Sequence, residues 1–281
     1  MIKPWIEAMR LRTLPVSIAG VITAVGFALH DRVFQWLPAL LCLLFAVLAQ
    51  IASNFANEYY DYRDGLDRAG REGPRRGVTE GDITPSAMKR ATYAVLALAC
   101  VIGLSLIYWG GWWLLPAGIV IALGAIAYSA GPYPLSRHGL GEVAVMFFFG
   151  IIPVNLTYYI QADAFTMPVL LGSVAIGLMG ANVLLVNNYR DADDDASVGK
   201  NTLAVLLGRR TALALYLLNG ILAGVLMIRL VAPVITILYI LAHCCLWNFM
   251  RTHRGAALNP ILGMTAMLMF VYSVAFAIAV A

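Results

Sequence analysis

A series of apolar runs, each about as long as a bilayer is thick, is the feature that most narrows what this chain can fold into. Crossing about 30 Å of hydrocarbon takes roughly 20 residues of helix. Runs of that kind lie near residues 13–30, 36–60, 91–109, 112–129, 142–160, 167–188, 211–229, 232–249 and 259–280. None has the two-residue alternation of a barrel strand, and lipid offers an open sheet edge no hydrogen-bond partner, so each run is expected to be a helix. Charged residues make up only 12% of the chain, about half the share of an ordinary soluble domain, and no large soluble domain is left over. The expected fold is an all-α membrane protein: a single domain over 1–281 with about nine transmembrane helices in one bundle, enclosing a central cavity capped by polar loops.

An odd number of spans puts the termini on opposite sides, and lysine and arginine mark the cytoplasmic one. Of the 19 basic residues, all but Arg32 and Arg229 fall in segments on the N-terminal side. The N-terminus and the loops 57–90 and 187–210 are therefore expected in the cytoplasm, and the chain in the inner (plasma) membrane as a multi-pass protein. Lys3, Glu7, Arg10 and Arg12 precede the first run much as in a secretory leader. No small-residue cleavage site and soluble domain follow, so that run is expected to be retained. Cys42, Cys100, Cys244 and Cys245 lie in apolar runs, and neither they nor the four histidines have the spacing of a disulfide framework, a zinc site or a haem site.

Function shows in the acidic residues. After the second run the chain reads Asn57-Glu-Tyr-Tyr-Asp61-Tyr-Arg-Asp64-Gly-Leu-Asp67; after the sixth it reads Asn187-Asn-Tyr-Arg-Asp191-Ala-Asp-Asp-Asp195. Residues four apart on a helix are offset by only about 40°. Asn57 and Asp61 therefore share a face with Asp64 beside them, and Asn187, Asp191 and Asp195 share another. Asp67 joins the first stripe's neighbourhood only if the helix has ended, as Gly65 suggests. Carboxylates so clustered repel one another near an apolar zone unless a cation neutralises them. Hard oxygen donors at this density suit Mg²⁺ or Mn²⁺, and two facing clusters would grip a diphosphate through bridging metal ions. A solvated charged loop explains either cluster alone; a matched Asn-x-x-x-Asp at two helix ends on one membrane side is harder to explain that way.

With these motifs the chain resembles the UbiA superfamily of intramembrane aromatic prenyltransferases. Asn57, Asp61 and Asp67 match the first motif of that superfamily, and Asp191 and Asp195 the second. Further stretches, among them Arg12-Thr-Leu-Pro15, Tyr128-Ser-Ala-Gly-Pro-Tyr-Pro134 and Gly199-Lys-Asn-Thr-Leu203, look most like the branch that prenylates 1,4-dihydroxy-2-naphthoate in menaquinone synthesis. The branch that acts on 4-hydroxybenzoate more usually carries Tyr-Pro-x-x-Lys-Arg where this chain has Tyr133-Pro-Leu-Ser-Arg137-His138.

The resemblance implies a Mg²⁺-dependent transfer of a polyprenyl group from its diphosphate to an aromatic acceptor, with the acceptor losing its carboxyl group. Asn57, Asp61, Asp64, Asp67, Asp191 and Asp195 would serve the metal, and Asp61 and Asp191 would be essential to turnover. Arg137, Lys200, Arg75 and Arg190 are candidates for the diphosphate. Asn187, Tyr128, Tyr133 and Arg12 are candidates for the substrate pocket. The tail would lie toward lipid, nucleic acid is not an expected partner, and the oligomeric state is left open. Glu142 is read as complementing a helix N-terminus. An ion-coupled transporter is the alternative from another class, but mid-membrane carboxylates are absent from the expected spans.

Overall fold

A computed structural model describes residues 2–68, 70 and 72–281. It contains helices α1 (Ile2–Met9), α2 (Leu14–His30), α3 (Trp36–Arg63), α4 (Pro85–Ser105), α5 (Ile107–Gly110) and α6 (Leu114–Ala127). These are followed by α7 (Gly141–Val145), α8 (Ile152–Ala162), α9 (Met167–Ser197), α10 (Leu203–Met227), α11 (Pro233–Thr252) and α12 (Asn259–Val280). Among the described residues eight helical segments are long and apolar enough to cross a membrane, α7 and α8 forming one of them with the turn between; α6 is a shorter ninth apolar helix. The nine expected runs each find a membrane-length segment or the shorter α6, and the differences lie at helix ends and in one internal break.

Three of those differences shape the molecule. Helix α4 begins six residues before the expected start because Thr84 caps it, its hydroxyl accepting from the Ala87 N–H, and Pro85 occupies the first turn. Lys89 and Arg90, in the turn that follows, make this start read as loop. The α9 helix runs on past the apolar region to Ser197, carrying its acidic residues as a helical extension. Between α7 and α8, Met146–Ile151 winds as a π-helix. Pro153 lacks the N–H that would bond the Phe149 carbonyl, so the regular ladder breaks just there.

Helix α9 is the spine of the bundle, with most of its apolar stretch buried. It packs against α2, α7, α8, α10 and α12. Between helices in lipid there is little hydrophobic driving force, so close packing of small residues has to hold them. The closest approach to another backbone is that of Gly150 to Gly177, where a Cβ built on Gly150 would lie 2.3 Å from the Gly177 Cα.

Candidate active site

The two acidic motifs end their helices in the same way. Asp64 is the C-cap of α3, Gly65 follows at φ 70°, and the Leu66 N–H returns to the Asp61 carbonyl at 2.8 Å. Val198 is the C-cap of α9, Gly199 follows at φ 72°, and the Lys200 N–H returns to the Asp195 carbonyl at 2.8 Å. These are the closures of a Schellman motif, and only glycine takes the left-handed step without strain. Asp61 and Asp195 thus occupy the same position relative to their helix ends.

The two ends face each other. The Lys200 ammonium lies 3.6 Å from Asp61 Oδ2 and 3.7 Å from Asp195 Oδ1, spanning the clusters. Arg137 reaches the first cluster from the side, 3.6 Å from Asp61 Oδ1, and donates to Asp64 Oδ2 at 2.7 Å. Its loop is aligned with the one carrying Lys200 by a bridge between His138 and Asn201, in which the Asn201 N–H donates to the Arg137 carbonyl at 3.1 Å. Two loops far apart in sequence thereby deliver their cations to one carboxylate. Asp61 is 1% exposed and its Oδ1 accepts no hydrogen bond, an arrangement that suits an electron-pair donor to a cation.

Asn57 organises the first cluster. Its amide nitrogen donates to Asp61 Oδ2 at 3.0 Å and to Ser129 Oγ at 3.1 Å, while its oxygen accepts from Arg10 at 2.5 Å and from Arg76 at 3.1 Å. In the second cluster Arg190 forks onto Asp191 at 2.7 and 2.8 Å, and also donates to Asn187 and Asn259, both at 2.8 Å. Such bidentate geometry is strong and specific, and it places Arg190 as the holder of Asp191. Arg76 lies 3.4 Å from Asp67 and so draws that residue in from the loop.

Some expected residues lie elsewhere. Arg75 is half-exposed and pairs with Asp82 at 2.5 Å, so that its neighbour Arg76 takes the inward position. Arg12 is exposed in the turn after α1, and Arg10 is the residue of that turn that lines the cavity. Tyr133 is exposed and stacked on His138 at 3.7 Å. Asp64 is on the outer side, held by Arg63 and Arg137. Sequence reading passed over Arg10, Arg76 and Ser129. Arg76 and Ser129 each adjoin a residue it did single out and Arg10 lies two positions from one, which is the only signal that pointed near them.

The salt bridges of Asp64, to Arg63 first and then to Arg137, hold its carboxyl below the usual carboxylate range. The stability this lends is complete above the unfolded value of about 3.9 and is lost as pH falls through the lowered folded value. The difference in melting temperature between the wild type and Asp64→Asn is therefore expected to be constant near neutral pH and to close under strongly acidic conditions. A difference that widened on acidification would contradict the assignment.

Two cavities meet below these residues. The polar one, about 130 Å³, is lined by Arg10, Asn57, Arg76, Asn187, Asn188 and Lys200 among others. The apolar one, of similar size, descends between α2, α3, α4, α6 and α8 past Phe45, Gly118, Phe148 and Leu156. Gln50, Ser53, Tyr128, Val145 and Phe149 line both and form the junction. Above, the loop after α3 reaches across as a cap: Arg68 pairs with Asp194, and Glu72 accepts from the Ala256 N–H at 2.8 Å.

A model of the UbiA prenyltransferase family matches residues 19–274. The chain belongs to the UbiA prenyltransferase family. Among relatives of this UbiA protein, the 1,4-dihydroxy-2-naphthoate octaprenyltransferase of Mycobacterium tuberculosis is 37% identical, over 99% of this chain and 96% of that one. The protein of the same name from Escherichia coli is 39% identical, over 74% of this chain and 70% of that one. A UbiA homolog from Archaeoglobus fulgidus, solved bound to DMAPP and Mg²⁺, superposes with a TM-score of 0.68 over 97% of this chain and 98% of that one. At 17% identity that likeness concerns the fold.

Divalent ions fit the residues of this family member, though not as an all-protein cage. Among the described residues no three His, Cys, Asp or Glu side chains gather around one point. Asp61 and Asp195 instead face a common cation position, now taken by the Lys200 ammonium. One or two carboxylates per ion, with water and phosphate oxygens completing the shell, is the usual arrangement for Mg²⁺.

Proposed function

We propose that this protein transfers a polyprenyl group from an allylic polyprenyl diphosphate to 1,4-dihydroxy-2-naphthoate, which loses its carboxyl group, in menaquinone biosynthesis. The observation that carries this reading is the junction of a charged chamber with an apolar one through shared walls. Such a shape suits a substrate with an anionic head and a hydrocarbon tail, and building it in a membrane keeps the tail out of water. The acceptor is taken from the names of the relatives.

The head group would lie at the polar end, where Asp61, Asp67, Asp191 and Asp195 would hold divalent ions. Bound there, Mg²⁺ would supply positive charge to the departing diphosphate. Arg137 is already oriented on Asp61, and Lys200, giving up its place between Asp61 and Asp195 to the metal, would join it in neutralising phosphate oxygens. At the junction Tyr128 and Phe149 would present aromatic faces to the allylic cation and exclude water from it. Asn57 orients Asp61, and Arg190 orients Asp191. By the count of basic residues, these loops face the cytoplasm.

The test is turnover by the purified protein in detergent, with a polyprenyl diphosphate, Mg²⁺ and a panel of aromatic acceptors, products being followed by mass. Transfer to dihydroxynaphthoate is expected, with loss of turnover on chelation and recovery on adding Mg²⁺ back. Transfer to 4-hydroxybenzoate in preference would reassign the acceptor. Full turnover in excess chelator would remove the metal from the scheme.

A further inference from the structure

Glu142 stands apart from the two acidic clusters, at the start of α7, and is only 7% exposed. Its Oε1 accepts from the Asn188 amide nitrogen at 2.8 Å, its Oε2 accepts no hydrogen bond, and Asn188 is its only side-chain partner among the described residues. A carboxylate half-paired in the interior is costly. Complementing a helix end does not require that burial, since an exposed acidic residue does it as well. What the buried position adds is a grip on one amide.

That grip fixes which way the amide points. An ionised carboxylate only accepts, so the Asn188 nitrogen turns to Glu142 and its oxygen turns away. Asn188 lines the polar cavity, and its oxygen accepts from no described residue although it is not sealed in the interior. Helix α9 sets the position: Asn188 lies seven residues before Asp195, on the same face to within about 20° and about 10 Å deeper along the axis. Leu184, one turn further, lines the same cavity. The wall below the second acidic cluster therefore presents a hydrogen-bond acceptor. A metal-bound diphosphate has no hydrogen to give it, and neither has a carboxylate. The donor that an aromatic acceptor does carry is a ring hydroxyl.

We infer that Asn188, held by Glu142, reads a ring hydroxyl of the aromatic acceptor. Asn188 is the binding residue and Glu142 the positioning one. The inference rests on the proposed transfer to dihydroxynaphthoate. In that molecule the 1-hydroxyl lies beside the carboxylate and bonds to it internally, which leaves the 4-hydroxyl as the free donor. With that hydroxyl on Asn188, the ring lies in the cavity that Tyr128 and Phe149 also line, at the junction with the apolar chamber.

The experiment uses the purified protein in detergent with Mg²⁺ and a polyprenyl diphosphate. It compares the KM for 1,4-dihydroxy-2-naphthoate with the inhibition constant of 1-hydroxy-2-naphthoate, which lacks only the 4-hydroxyl. In the wild type the inhibitor is expected to bind roughly 5- to 30-fold more weakly than the substrate. In Asn188→Leu the ratio should fall below about threefold, because the KM for the substrate rises while the inhibition constant and the KM for the diphosphate stay within about twofold. Glu142→Gln keeps the shape but donates as well as accepts, so the Asn188 amide is free to turn over. Its ratio should fall between the other two at an unchanged melting temperature, which a purely structural role for Glu142 would not produce. If Asn188→Leu melts well below the wild type because Glu142 is left unpaired, Glu142→Met combined with Asn188→Leu, which removes both partners, is read in its place. A ratio near one in the wild type, or one that loss of Asn188 leaves unchanged, would overturn the inference. A ratio lost with Asn188 but intact in Glu142→Gln would overturn the positioning role. A wild type that prenylates 4-hydroxybenzoate and not dihydroxynaphthoate would remove the proposed function, and this assignment with it.

Discussion

Asp61→Asn is expected to lower turnover by roughly a thousandfold or more while the protein stays folded. The side chain keeps its shape and its place beside Asn57, but the charge that three groups address disappears: the Lys200 ammonium, the Arg137 guanidinium and the metal it would hold. Since Asp61 Oδ1 accepts no hydrogen bond, replacing that carboxylate by an amide removes a donor to cations and breaks little else in the scaffold. Asp191→Asn is expected to be as damaging to turnover, but it is a less clean experiment. Asp191 is gripped by the buried fork from Arg190, and removing one partner of such a pair leaves an uncompensated charge, which is itself strongly destabilising. Turnover and the melting temperature in detergent, measured together, distinguish the two cases. Near-normal turnover in Asp61→Asn would refute the proposed role of the first cluster.

The largest effect on stability is expected at a site with no polar chemistry. Gly150→Ala adds one methyl group where α9 passes the π-helical turn, and that Cβ would sit 2.3 Å from the Gly177 Cα, 2.4 Å from its nitrogen and 2.7 Å from the Ser173 carbonyl oxygen. All three are backbone atoms, so no side chain can swing aside and the helices must separate. Overpacking of this kind costs about 3 kcal/mol, equivalent to roughly 5–10 °C in melting temperature. Gly263→Ala, on α12 with nothing within 4 Å of the new Cβ, is the control and should melt at or slightly above the wild-type temperature. Because α9 carries Asp191 and Asp195 at its end, Gly150→Ala should also lose activity through displacement of the second cluster. Equal melting temperatures for the two variants would mean that α9 and the π turn are not packed as described.

Membership of a membrane-embedded helical class, the approximate spans and the two acidic helix ends could all be read along the chain. Each of those properties is local: the length of an apolar run, a four-residue spacing, a glycine four residues after Asp61 and again after Asp195. Helix boundaries were less legible where charge and helix coincide, as at Lys89 and Arg90 in the first turns of α4 and in the acidic extension of α9.

Which basic residues meet the acidic ones was decided by the tertiary structure. Arg10 rather than Arg12, and Arg76 rather than Arg75, line the cavity, and each differs from the expected residue by one or two positions. One step along a turn rotates a side chain to another face, and the direction depends on a left-handed residue at Arg10 and on anchoring of the following loop by Glu58. The convergence of Arg137 and Lys200 on Asp61 likewise requires a bridge between His138 and Asn201. The sequence by itself determined that this protein crosses a membrane and carries two acidic helix ends, because both are properties of short segments. Only the tertiary structure decided which cations stand between those ends, because that depends on contacts between segments more than a hundred residues apart, such as Asp61 with Lys200.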